Sequence, residues 1–259
     1  MPSNFFKLNA EYFNESKGLF SKLDINELIH PCWRLNQYKL DFIPQKINYP
    51  VFLKPEWGQN STGVVRINSA AELTKVLKQR AKSAAPYLIQ ESAIGNREFE
   101  VYLISSPDSL DNFSTLSISE VLNDSEHSLP VNGVYNQATS YIDITDSFND
   151  EQLAILWGYL KTIRTFRTAR YGIKANSIKD LLTGKFKIFE INLFLPMPLV
   201  LLCKNVGFCY KALLANRFGR ELAIITETIP KSQRNKSILF QKLFTRKYKA
   251  LVNKRRATS

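Results

Sequence analysis

Histidine and cysteine, the side chains that most often hold zinc or attack a carbonyl, are scarce in this chain: two and three among 259 residues. Cys32, Cys203 and Cys209 are odd in number and widely spaced, so no disulfide framework is expected. His30 and His127 stand apart from any cysteine pair that would complete a zinc site and read as ordinary loop histidines. The Gly-x-Ser-x-Gly elbow of a hydrolase does not occur. Long apolar runs are missing too: the stretch 193–203 is interrupted by Pro196 and Pro198 and falls short of the roughly 20 residues that span a bilayer. The opening MPSNFFKLNAEYF lacks the charged-then-apolar layout of a secretory signal. A protein of the reducing cytoplasm is expected. Internal repeats are absent, and the length suffices to bury a sizeable core.

Charge is present but uneven. The net charge is +12, yet residues 231–259 hold 10 of the 35 Lys and Arg and none of the 23 Asp and Glu, so the rest of the chain is nearly balanced. The run KSQRNKSILFQKLFTRKYKALVNKRR interleaves bases with apolar residues in the manner of a basic amphipathic helix. That pattern fits first a solvated terminal helix packed on the domain, and then a contact with a membrane surface, an acidic partner or nucleic acid. Without an RNA-binding motif, nucleic acid is not expected as a partner.

The pattern along the chain divides it into residues 1–49, an arm or reduced leading segment with little periodicity; a domain over 50–230; and the basic tail 231–259. PVFLKP and GVVRI read as strands around a glycine-bearing loop. Ser69 and Glu72 form a capping box ahead of the helix SAAELTKVLKQRA. PYLIQE, EFEVYLI and FSTLSISEVL read as strands, and 105–138 is polar enough for long hairpins or a loop. A helix is expected from about 147–150, with Leu153, Leu156, Trp157, Leu160 and Ile163 on one face and Gly172 as its stop. The strand YGIKANS follows, then a turn at Gly184, the strand in GKFKIFEIN and a proline-rich exit. The total is α+β, with mixed or antiparallel sheets.

Three segments carry candidate chemistry. Lys54 ends a strand before the loop EWGQNSTG, which holds Gly58, Ser61, Thr62 and Gly63; a fixed cation and a loop whose backbone N–H groups can approach closely are what a polyphosphate requires. In LIQESAIGNREFEV, Glu91 closes one strand and Glu98 opens the next, across a turn whose backbone can meet the edge of a base. In IFEINLF, Glu190 and Asn192 interrupt an apolar strand two residues apart, so both project from one sheet face. A carboxylate and an amide so placed suit a hard divalent cation.

These three segments, in this order, resemble the ATP-grasp superfamily, and most closely D-alanine:D-alanine ligases and related carboxylate-amine ligases, over roughly 48–200. The resemblance implies two α+β subdomains gripping ATP between their sheets, with a reduced N-terminal domain. It also implies a reaction: ATP converts a carboxylate to an acyl phosphate, which an amine or thiol then attacks, so small-molecule carboxylates and amines would be the partners. By the same resemblance Lys54 would bind phosphate, Gly58, Ser61 and Thr62 would lie in the loop over the triphosphate, and Glu91 would meet the adenine amino group. Ser92, Ala93 and Ile94 would form the adenine hinge, Glu98 would bind ribose, and Glu190, Asn192 and Asn176 would hold magnesium or manganese. Lys174 and Asn176 stand where the family's Arg-x-Asp is expected, Lys174 near the chemistry with Lys54. An N-terminal lysine that the family also directs at ATP has Lys39 or Lys46 as candidates. A weakly catalytic ATP-binding module that acts through a partner or through its basic tail is the alternative reading.

Overall fold

The computed structural model describes residues 3–58, 60–80, 86–125, 130–233 and 238. Two antiparallel sheets face each other. The smaller runs β1-β4-β2-β3, with β1 Gln37–Lys39, β2 Val51–Pro55, β3 Val65–Ile67 and β4 Tyr87–Glu91. The larger runs β7-β6-β5-β8-β9, with β5 Arg97–Ser105, β6 Phe113–Asn123, β7 Thr139–Asp143, β8 Thr168–Ala175 and β9 Lys187–Asn192. Within both sheets every pairing between named strands is antiparallel.

Alternation along the strands decides what each face buries. On the small sheet Val51, Leu53, Ile67 and Ile89 join Leu73 of helix α2 (Ala70–Arg80) in one core. Phe52, Lys54 and Gln90 belong to the opposite face and line the space between the sheets. Ser69 caps α2 as expected, its hydroxyl accepting from the Glu72 N–H at 3.2 Å, while the return bond shifts by one residue: the Glu72 carboxylate accepts from the Asn68 N–H at 2.8 Å.

On the large sheet Phe99, Val101, Leu103, Tyr171, Ile173, Ile188 and Ile191 pack against Leu156, Trp157 and Leu160 of helix α3 (Asp150–Lys161). Fully burying one such side chain is worth about 1.5–3 kcal/mol, so this layer anchors the sheet. Asn149 caps α3 in a reciprocal box with Gln152. The helix ends at Lys161; Gly172, expected as its stop, lies inside β8. Two further helices had no expectation, α4 (Ile178–Leu182) and α5 (Phe208–Ile225). The other face of the large sheet is divided. At one end Tyr102, Ile104, Val121 and Tyr141 are covered by Phe218 and Ile225 of α5 and by Leu199 and Val200. At the other end Glu98, Lys174 and Glu190 line the space between the sheets.

The leading segment is threaded through this frame. β1 forms an edge of the small sheet, Arg34 makes an isolated bridge to Ile188, and buried Asn9 donates to the carbonyls of Thr168 (2.6 Å) and Leu193 (3.1 Å). The short helix α1 (Lys22–Asn26), capped by Ser21, lies against β9. Of the basic tail, the described residues include only 231–233 and Ile238, and the expected amphipathic helix lies outside them, as does His127. Among the described residues no helix is long and apolar enough to cross a membrane.

Candidate functional site

The cleft between the sheets gathers Lys54, Gly58, Ser61, Thr62, Glu91, Ala93, Glu98, Lys174 and Glu190 from five separate segments of the chain. Lys54 is 5% exposed and donates to Gln90 Oε1 at 2.6 Å and to the Phe189 carbonyl at 3.1 Å, two neutral acceptors. Burial pushes its pKa down to about 7; the Glu190 carboxylate opposes that fall and the Lys22 ammonium adds to it. A lysine held this way regains its proton when an anion arrives.

Lys22 lines the cleft as well, whereas the candidates offered from the sequence were Lys39 or Lys46. The Nζ of Lys22 lies 3.4 Å from Glu190 Oε1 and donates to the Gly58 carbonyl at 3.2 Å. The Ser21 hydroxyl, which caps α1, also donates to buried Glu56 at the start of the glycine-bearing loop. Helix α1 is thereby fixed to that loop.

At the loop tip Asn60 and Ser61 both hold φ near +55°, a left-handed conformation that costs a residue with a Cβ on the order of 1 kcal/mol. Ser61 donates to the Asn132 carbonyl, tying the loop to the segment after β6. Glu91 is held in the expected hinge region, but its carboxylate accepts from the Tyr38 hydroxyl (2.8 Å) and Asn36 Nδ2 (2.9 Å). Ser92 donates to the Pro50 carbonyl at 2.5 Å, and Ile94 is 83% exposed. Gly95 makes the turn with φ +145°, where a Cβ would come within 2.7 Å of the Ala175 nitrogen.

On the large sheet Glu98 sits opposite Lys174, and its Oε2 takes both the Lys174 ammonium (2.9 Å) and Asn132 Nδ2 (2.9 Å). Glu190 receives Asn192 Nδ2 on Oε2 at 3.1 Å. Burial would raise the Glu190 pKa, but Lys22, Lys54 and Arg170, together with the Asn192 amide, outweigh it and hold the carboxyl below its ordinary value. One carboxylate and one amide thus offer oxygen to a cation on this strand, and a divalent cation commonly completes such a shell with phosphate oxygens and water.

Asn176 does not join them. It accepts from the Asn96 N–H at 3.3 Å, by the turn before β5. The strand register explains the difference: Asn192 pairs with Arg170 and Glu190 with Gly172, whereas Lys174 pairs with Lys187. The residues flanking Glu190 and Asn192 are therefore Arg170 and Gly172. Above Gly172 lies the Phe189 ring, so near that a Cβ would come within 2.5 Å of it. A bulge between Gly172 and Ile173 lets Phe189 and Glu190, neighbours in sequence, face the same cleft. Arg170 and Phe189 escaped the sequence pattern because this register brings them in; Gln90 enters from β4 of the small sheet and Asn132 from the segment after β6.

A sequence model of the family described as D-ala D-ala ligase C-terminus matches residues 19–156. D-alanine--D-alanine ligase of Mycobacterium tuberculosis is 33% identical over 107 residues, 41% of this chain and 26% of that protein. The enzyme of the same name from Mycobacterium leprae is 29% identical over 107 residues, 41% and 25% of the two. The matched segment spans about a quarter of these curated relatives. Among solved structures, the VanG D-Ala:D-Ser ligase of Enterococcus faecalis superposes with a TM-score of 0.52 at 14% identity, covering 78% of this chain and 61% of that one. With the motif order, the paired antiparallel sheets and the family match agreeing, this chain has the ATP-grasp fold and belongs to the D-ala D-ala ligase C-terminal family.

Proposed function

We propose that the chain binds ATP with magnesium or manganese between its sheets and acts as an ATP-dependent ligase, converting a carboxylate to an acyl phosphate for attack by an amine or thiol. The observation that carries this reading is the pair of lysines in the cleft: buried Lys54, pushed to about 7 with only neutral hydrogen-bond acceptors, and partly buried Lys22 beside it. Two ammonium groups facing a cleft closed by a glycine-bearing loop make a site for a polyphosphate.

In this reading Lys54 and Lys22 neutralise phosphate charge, and the 56–63 loop covers the chain of phosphates. The backbone of Ser92, Ala93 and Ile94 meets the adenine edge. Phe189 gives the base an apolar floor, and Glu98 Oε1 receives ribose hydroxyls. Glu190 and Asn192 would hold the divalent cation, which supplies charge neutralisation between phosphates. Arg170, which pairs in register with Asn192, would stabilise charge on the transferring group in place of Lys174. The acid of the family's Arg-x-Asp has no counterpart at Gly172. That replacement favours the second reading, a slow ligase or ATP-binding module with a single cation.

Assaying ADP release against a panel of carboxylates and amines separates the two. Turnover that requires both substrates supports the ligase; tight ATP binding without turnover on any pair supports the module. Loss of ATP binding altogether would refute both.

A further inference from the structure

Helix α5 covers one end of the large sheet with Phe218 and Ile225, while its outer side stays bare. There Phe208, Leu213 and Ile224 are 85%, 65% and 46% exposed, and Tyr210 is exposed as well. At about 3.6 residues per turn, Ile224 falls in line with Leu213 roughly three turns further on, and Arg217 and Arg220 come between them. Single exposed apolar side chains are ordinary on a protein surface, but a row of them along one helix marks a contact.

The charge on that side is of one sign. Arg217 and Arg220 are exposed on the helix, and Lys204 and Lys231 are exposed beyond its two ends. The helix has a single carboxylate, Glu221, and it is turned inward: it accepts from the Ser114 hydroxyl at 3.1 Å and from the Thr115 hydroxyl, and it holds Arg217 Nε at 2.7 Å. Glu227, past the end of the helix, is exposed, but no acid interrupts the row from Phe208 to Ile224.

We propose that the outer side of α5 docks on an anionic lipid bilayer, with the helix lying in the plane of the headgroups. Phe208, Leu213 and Ile224 enter the acyl boundary, and Arg217 and Arg220 meet the lipid phosphates. Helices that lie on membranes combine apolar and basic side chains in this way, and a tyrosine such as Tyr210 suits the headgroup level. The net charge of +12, with ten bases and no acid in residues 231–259, draws the chain towards such a surface. A second copy of the chain fits less well, because a two-fold contact through this side would bring the arginines of both copies together with no exposed carboxylate on the helix to answer them. Nucleic acid would use the arginines but leave Phe208, Leu213 and Ile224 without an apolar partner. The proposal stands apart from the nucleotide site and does not rest on the ligase reading.

Co-sedimentation of the full chain with phosphatidylcholine vesicles, with and without phosphatidylserine as one-third of the lipid, tests it. Partition onto the anionic vesicles is expected to be roughly tenfold or more stronger than onto phosphatidylcholine alone, and to weaken with salt. Phe208→Ser combined with Leu213→Ser should weaken the anionic binding roughly tenfold or more, and Arg220→Gln roughly fivefold. All three positions are exposed, so both variants should melt as the wild type does. Absence of partition, equal partition onto the two kinds of vesicle, or binding that the double variant leaves unchanged would each overturn the proposal, the last by assigning the attraction to the basic tail alone. A dimer in sedimentation velocity that the double variant dissociates would give this side of α5 to a second copy and overturn it as well.

Discussion

ATP binding by this chain is expected to take up a proton above neutral pH, because Lys54 is buried in the free protein and must be charged to serve a phosphate. With Lys54 at about 7 in the empty cleft, the free protein binds ATP at full strength below pH 7. Above that, the charged form becomes the minority, and each pH unit costs about 1.4 kcal/mol, or tenfold in Kd, until the pH passes the Lys54 pKa in the complex. Titration calorimetry at pH 8 in buffers of different ionisation enthalpy should therefore report nearly one proton taken up per ATP. Lys54→Arg, whose guanidinium stays charged, should lose that uptake and its pH slope. The same shift has a stability consequence of fixed sign. The unfolded chain keeps the lysine protonated up to about 10.4, so folding releases a proton between roughly pH 7 and that value. Stability from this group rises with pH across that window, and the cost is full below 7. Lys54→Met should accordingly stabilise the empty protein at pH 7 while removing the ATP response. A Kd that is flat from pH 7 to 9, or proton uptake that persists in Lys54→Arg, would refute the reasoning.

Other perturbations test the frame around the site. Gly172→Ala must move Phe189, since the new Cβ would meet its ring at 2.5 Å; ATP affinity measured by calorimetry should fall roughly tenfold, about 1.4 kcal/mol, and unchanged affinity would remove Phe189 from the base site. Gly95→Ala combines a φ of +145° with a backbone clash at 2.7 Å, so denaturant unfolding should show a loss of about 1–3 kcal/mol. Tyr38→Phe frees one Glu91 oxygen, and a changed preference for ATP over GTP in competition binding is expected if Glu91 meets the base.

Much of the frame is legible before any coordinates. Proline and glycine bracket β2 and β3, alternation marks β5, and the two-residue spacing of Glu190 and Asn192 marks them as sharing one face of β9. What stayed hidden depends on pairing between distant strands. The Lys174 and Asn176 assignment followed sequence spacing, but the register sets Arg170 and Gly172 beside Glu190 and Asn192. Alternation alone would send Phe189 to the core; the bulge turns it outward. Lys22 escaped because α1 is five residues long, too short for a helical period to show, and its position comes from the contact of Ser21 with Glu56. β1 has three residues and is recognisable only through its partner β4.

The central claim is that cations and oxygens from distant parts of the chain meet on one nucleotide. Calorimetric titration of ATP with and without magnesium, on wild type, Lys22→Ala and Glu190→Ala, tests it most directly. Losing a charged contact to phosphate costs about 1.5–3 kcal/mol, so Lys22→Ala should weaken ATP roughly ten- to hundredfold in both conditions. Glu190→Ala should abolish the gain from magnesium while leaving metal-free binding nearly intact. Binding unaffected by Lys22→Ala, together with a magnesium gain that survives Glu190→Ala, would contradict the account.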